Sequence, residues 1–88
     1  MTEASCKRCS VVRVNILCDL YAKANEAGEQ KARNDLGRLV RLAGNRGYAE
    51  GSSLLQPGLD AAEARPLCWN VSSVLSDGDL EALGYRIK

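Results

Sequence analysis

Residues 10–28 read SVVRVNILCDLYAKANEAG, and this stretch decides the fold. Ser10 is a suitable N-cap for a helix that runs to about Ala27, and Gly28 stands where the C′ residue of that helix belongs. Placed on a helical wheel, the apolar side chains of the stretch cover an arc of about 200°. An arc this wide must contact more than one neighbour, so we expect the helix to lie at the centre of the fold.

The residues that follow predict a second helix, from about Glu29 to Ala43. Its apolar side chains recur at i, i+4, i+7, i+8 and i+11, which gives one continuous stripe. They are Ala32, Leu36, Leu39, Val40 and Ala43. Because only Gly28 and its flanking residues separate the two helices, we expect residues 10–45 to form an antiparallel helical hairpin, with a single bent helix as the alternative.

Residues 44–53 are rich in turn-forming side chains and predict a hinge between two halves of the chain. Beyond it, residues 59–64 predict one or two helical turns, because Asp60 and Glu63 have the spacing of a capping box. Pro66 follows two residues after Ala64, and we expect it to end this helix.

The last part of the chain predicts two short strands around a helix. The first strand is indicated by alternation: Leu67, Trp69 and Val71 alternate with Cys68, Asn70 and Ser72. Ser76 and Asp79 repeat the capping-box spacing before a short helix that closes at Gly84, and residues 85–88 alternate again. The predicted fold class is therefore α+β, with the helical hairpin packed against a C-terminal strand-helix-strand unit in residues 54–88. We expect residues 1–88 to form one domain, with residues 1–9 as a flexible leader.

Charge is unevenly distributed along this chain. Residues 7–46 carry a net charge of +5 and residues 47–88 a net charge of −3, although the whole chain has only +1. The basic side chains of the second helix, together with Arg46 just beyond it, define what we call the basic face, which consists of Lys31, Arg33, Arg38, Arg41 and Arg46. Arginine binds carboxylates and phosphates through forked hydrogen bonds, so the basic face predicts binding to an acidic partner surface.

The chain has four cysteines and no histidine. Cys6 and Cys9 form a C-x-x-C motif, which suits a zinc site or a redox-active disulfide, with two exposed thiols on the leader as the third interpretation. Cys18 and Cys68 alternate with apolar neighbours, so we expect them to be small core side chains.

No catalytic constellation can be assembled from these residues, and the sequence predicts a non-enzymatic protein. The preferred function is a small macromolecule-binding protein, an adaptor or inhibitor of the kind that phages and mobile elements encode, which recognises another protein through the basic face. The alternative is a nucleic-acid-binding accessory module with zinc at Cys6 and Cys9. A thiol-dependent enzyme ranks third.

The hydrophobic pattern also bears on membrane association, export and cellular location. No apolar run approaches the ~18 residues of a membrane span, and residues 1–10 lack the apolar stretch of an export signal. These features predict a cytoplasmic protein without membrane contact. Leu42 stands on the polar side of the second helix, and both a monomer and a homodimer remain open.

Overall fold

The computed structural model describes residues 9–87, and its ordered elements are all helical. They are α1 (Val11–Asn25), α2 (Gln30–Asn45), a 3-10 helix (Ala49–Leu55), α3 (Ala61–Ser73) and α4 (Asp77–Glu81). One hydrophobic core runs through these elements, with Leu17, Leu36, Leu54, Cys68 and Leu80 among its fully enclosed side chains. No helix within residues 9–87 is long and apolar enough to cross a membrane.

Two helices are present within residues 10–45, where the sequence predicts them, and they pack against each other. Helix α1 begins after Ser10, whose side chain makes no capping hydrogen bond, and it ends two residues earlier than expected. Gly28 has a φ of +68°, the left-handed conformation that a chain reversal at this point requires. Arg33 Nε donates to the carbonyl oxygen of Ala24 across 3.1 Å, so the start of α2 lies against the end of α1.

The 3-10 helix begins within the predicted hinge and extends two residues beyond it, and it packs against both α2 and α3. Its glycine, Gly51, is buried because the chain passes close to two neighbouring side chains. A Cβ atom at this position would lie 3.0 Å from Val71 Cγ2 and 3.3 Å from Tyr48 Cδ2. A larger residue would therefore have to displace α3 or the Tyr48 ring.

The predicted α+β fold class is wrong, because no strand is present in residues 9–87. The segment read as the first strand, residues 67–72, belongs to α3. Its buried side chains follow the helical period: Ala64, Cys68 and Val71 stand at i, i+4 and i+7, and Trp69 and Ser72 lie beside them. Leu67, Trp69 and Val71 alternate over only five positions, whereas burial also includes Cys68 and Ser72, which a strand would place on the opposite face.

The expectation that Pro66 ends the helix is also wrong, because Pro66 is the sixth residue of α3. A proline at an interior position lacks one backbone donor and costs about 3 kcal/mol. Burial of a large apolar side chain contributes about 1.5–3 kcal/mol, and Trp69 and Val71 are both buried beyond the proline. The predicted capping box is confirmed, since Glu63 N donates to Asp60 Oδ1 across 2.8 Å. The burial of these side chains and the capping box together offset the free-energy cost of Pro66 inside the helix.

The second predicted capping box is confirmed as well, at the start of α4. Ser76 N donates to Asp79 Oδ2 across 2.6 Å, and Asp79 N donates to Ser76 Oγ across 3.3 Å. The predicted terminal strand is wrong: residues 85–87 form neither strand nor helix, and Lys88 lies outside the described residues. With residues 67–72 in a helix, this segment has no strand to pair with. It is held instead by Tyr85, whose hydroxyl donates to Asp35 Oδ2 across 2.7 Å.

Candidate functional site: the groove between α2 and α4

Helix α2 is strongly two-sided, as its sequence pattern predicts. All five residues of the apolar stripe are buried, and all five residues of the basic face are exposed. The basic face is nevertheless divided by what its side chains contact within the molecule. Some of its cations hold other segments of the chain in place, and others do not.

Lys31 is tied to the C-terminal segment. Its ammonium forms an ion pair with Asp35 one turn along α2 and lies 5.4 Å from the centre of the Tyr85 ring. It also contacts the carbonyl oxygen of Leu83 at 3.5 Å. Burial acts to raise the pKa of Asp35, but hydrogen bonds from Lys31 and Tyr85 outweigh it, and the pKa lies below its ordinary value. Lys31 therefore serves to anchor the chain end.

Arg33 and Arg46 hold the two ends of α2 to their neighbours. Arg33 is the donor to Ala24 that closes the hairpin. Arg46 makes two hydrogen bonds to the carboxylate of Asp79, at 2.6 and 3.2 Å, and a third to the carbonyl oxygen of Val74 at 2.9 Å. The hydrogen bond from Arg46 lowers the pKa of Asp79 below its usual value. These contacts connect α2 to the turn that enters α4.

Arg38 and Arg41 differ from the other three cations. Both are exposed, and neither forms a hydrogen bond or ion pair with any side chain or backbone group in residues 9–87. Arg38 acts on Asp35 only at longer range, where its charge contributes to the low pKa of that carboxyl group. Since they are three residues apart, the two arginines lie on the same face of α2.

These two arginines border a groove of about 340 Å³ between α2 and the end of α4. We call it the α2–α4 groove. Its lining combines aliphatic side chains with a few polar ones: Arg38, Leu39, Arg41, Leu42, Asn45, Asp79, Ala82 and Leu83. The carboxylate on its wall, Asp79, is neutralised by Arg46. The groove thus presents two guanidinium groups, each with a fork of N–H donors, beside an apolar surface.

Sequence reasoning found the arginines of this groove but not its opposite wall. Ala82 and Leu83 are about 40 positions from α2, and their approach depends on how α4 packs. One local signal was present in the sequence. Leu42 interrupts the polar side of α2, and in the structure this half-buried side chain forms part of the groove.

The predicted metal site cannot be described in full, because Cys6 lies outside the described residues. Cys9 is disulfide-bonded, and its sulfur lies 3.2 Å from the carbonyl oxygen of Trp69. Within residues 9–87, no group of three or more cysteine, aspartate or glutamate side chains is arranged to hold a metal ion. Zinc binding by Cys6 and Cys9 would require both as thiolates, and it stays a prediction.

Comparisons of the chain with protein-family models, with curated proteins and with solved structures found no match.

Proposed function

We propose that this protein is a non-enzymatic recognition module that binds an acidic partner protein in the α2–α4 groove. The observation that carries the proposal is the difference among the five cations of the basic face. Lys31, Arg33 and Arg46 each donate at least one hydrogen bond within the molecule, whereas Arg38 and Arg41 stand exposed at the edge of an apolar groove. The proposed contact cations are therefore Arg38 and Arg41, and the other three support the surface that carries them.

The chemistry of the groove favours a protein segment over a nucleic acid. Binding to a phosphate backbone relies on many cations, and its salt dependence grows with the number of phosphates contacted. Two arginines would neutralise about two phosphates, and the aliphatic side chains of Leu42 and Leu83 offer nothing to a sugar-phosphate chain. A segment with aspartate or glutamate beside an aliphatic residue would satisfy both parts of the groove, the carboxylate on the guanidinium groups and the aliphatic side chain on the leucines.

The test uses single charge reversals with a matched control. Arg38→Glu and Arg41→Glu each change the net charge by two units, and so does Arg86→Glu. Arg86 is also exposed and has no ion pair within residues 9–87, but it lies on a different groove, beside α1. We expect partner proteins cross-linked to the wild type in cells to be retained by Arg86→Glu and lost from both α2 variants.

Two results would contradict this function. Retention of every cross-linked partner by the Arg38→Glu, Arg41→Glu double variant would show that the groove is only solvated surface. Binding to generic duplex DNA or RNA that weakens by orders of magnitude between low and physiological salt would favour the nucleic-acid alternative instead. A nucleic-acid result would also implicate cations outside the groove, since two contacts produce a shallow salt dependence.

A further inference from the structure

The free thiols of residues 9–87, Cys18 and Cys68, lie on two helices that pack side by side. Helices α1 and α3 run antiparallel: Cys9 at the start of α1 contacts the later residue Trp69 of α3, while Tyr21 near the end of α1 donates its hydroxyl to the carbonyl oxygen of Leu59, just before α3. Cys18 falls between these two contacts and faces the middle of α3. Both thiols therefore sit within one helix–helix interface.

The two thiols differ in their access to solvent. Cys68 is completely enclosed, with none of its surface exposed, whereas Cys18 is half-buried. Burial, followed by the neighbouring thiol of Cys18, raises the pKa of Cys68 well above its ordinary value. Cys68 is therefore a core side chain, as its sequence context predicts. Cys18 is only partly covered, so a small molecule from solvent can reach its sulfur.

A guanidinium group completes this cluster. Arg65 Nη1 lies 3.7 Å from Cys18 Sγ, and Arg65 precedes Cys68 by three residues, so both side chains project from the same side of α3. At this distance the guanidinium can hold the Cys18 sulfur in one position.

We propose that Cys18 and Cys68 form an oxidation site for small hydroperoxides, in which Cys18 reacts first, Cys68 resolves the product as a disulfide, and Arg65 positions and stabilises the reacting sulfur. This site is independent of the α2–α4 groove, since it lies between α1 and α3. The resulting disulfide would join α1 to α3 covalently and fix the core around it.

The proposed reaction balances in two steps. The Cys18 thiol releases its proton to solvent, and its sulfur attacks one peroxide oxygen. The O–O bond breaks, and the departing hydroxide or alkoxide takes up a proton, which leaves Cys18 as a sulfenic acid. The Cys68 thiol then passes its proton to the sulfenic oxygen as its sulfur attacks the Cys18 sulfur, so the S–O bond breaks, the S–S bond forms and water leaves. Two thiols and one hydroperoxide yield one disulfide, one alcohol or water, and one further water.

The first experiment treats the wild-type chain with hydrogen peroxide and maps its disulfides after trypsin digestion. Cleavage at Arg13, Lys23, Arg46 and Arg86 places Cys18 in residues 14–23 and Cys68 in residues 47–86, because the bond between Arg65 and Pro66 resists trypsin. Cys9 falls in a separate peptide, residues 9–13. We expect peroxide to link residues 14–23 to residues 47–86, with the loss of two hydrogen atoms. Absence of that linked pair, with Cys18 and Cys68 both unmodified, would overturn the proposal.

Variants separate the roles of the three side chains. In Cys68→Ser, oxidation of Cys18 should stop at the sulfenic acid, which dimedone traps. In Cys18→Ser, Cys68 should stay unmodified because it is enclosed. Arg65→Gln should slow the peroxide reaction of Cys18 several-fold and Arg65→Lys should restore part of the rate, while Arg86→Gln leaves it unchanged. Equal rates in all of them would show that Arg65 has no part in the reaction. Direct oxidation of Cys68 in Cys18→Ser would overturn the assigned order.

Discussion

The middle of α2 and its two ends use the same kind of side chain for different purposes. At the ends, Lys31, Arg33 and Arg46 connect α2 to the chain terminus, to α1 and to the turn before α4. In the middle, Arg38 and Arg41 connect to nothing in residues 9–87 and border the α2–α4 groove. Cations that lie in one row on a helical wheel therefore do not all belong to one binding surface. Only the cations without internal partners are available to bind another molecule.

The strongest expected effect concerns Asp35, which receives both Lys31 and Tyr85. Asp35→Ala removes the acceptor for the Tyr85 hydroxyl and leaves that half-buried group without its partner. A polar group that loses its partner in this way costs about 1–3 kcal/mol. We therefore expect Asp35→Ala to lower the free energy of unfolding by about 2 kcal/mol in a urea titration.

The matched control for this variant is Asp19→Ala. Asp19 forms the same kind of i,i+4 pair, with Lys23 on α1, but its side chain is 64% exposed and that of Asp35 is 8% exposed. Exposed pairs of this kind contribute little to stability. Equal losses for the two variants would show that the anchoring of the chain end is no stronger than an ordinary surface ion pair.

Acid should reduce the difference in stability between wild type and Asp35→Ala. The pKa of Asp35 in the folded protein lies below the ordinary value of 3.8. Its contribution to stability is therefore complete above that pH and is lost as the pH falls through the lower folded value. Urea titrations from neutral pH downward should show the gap between the two unfolding free energies narrowing below about pH 3.8. A gap that stays constant into this acid range would mean that the carboxylate charge is unimportant.

Substitution of Asp79 should give a smaller loss of stability, and it tests the other end of α2. Asp79→Ala removes the acceptor for Arg46 and one half of the α4 capping box. Loss of such a cap costs about 1 kcal/mol. Glu81→Ala is the control, because Glu81 is an exposed carboxylate of the same helix. We expect thermal unfolding to shift for Asp79→Ala and to stay near the wild-type midpoint for Glu81→Ala.

The contrast between the two halves of the chain shows what the sequence could and could not predict about the fold. The hairpin was predictable because its apolar stripe repeats over three turns and Gly28 marks the reversal. Helix α3 was not, because Pro66 and the alternation around Trp69 are local signals that point away from a helix. They are outweighed by burial against α1, which depends on residues about 50 positions away.

The candidate site was only partly predictable for the same reason. The helical wheel placed Arg38 and Arg41 together with Lys31 on the exposed side of α2. Which of these cations has an internal partner depends on where Asp79 and Tyr85 lie in space. Those positions are set by the packing of α4 and of the chain end, and no spacing along α2 contains that information.

The smallest expected change in stability tests the comparison between the middle of α2 and its two ends most directly. Arg38→Ala and Arg41→Ala should each change the free energy of unfolding by no more than about 0.5 kcal/mol, because neither side chain loses a hydrogen bond or ion pair within residues 9–87. The measurement is a urea titration of both variants beside Arg46→Ala, which removes three hydrogen bonds to Asp79 and Val74 and should unfold at lower urea. If Arg38→Ala or Arg41→Ala destabilised the protein as much as Arg46→Ala, the middle of α2 would be structural like its ends. If both leave stability unchanged, any loss of partner binding in the charge-reversed variants reports on the α2–α4 groove itself.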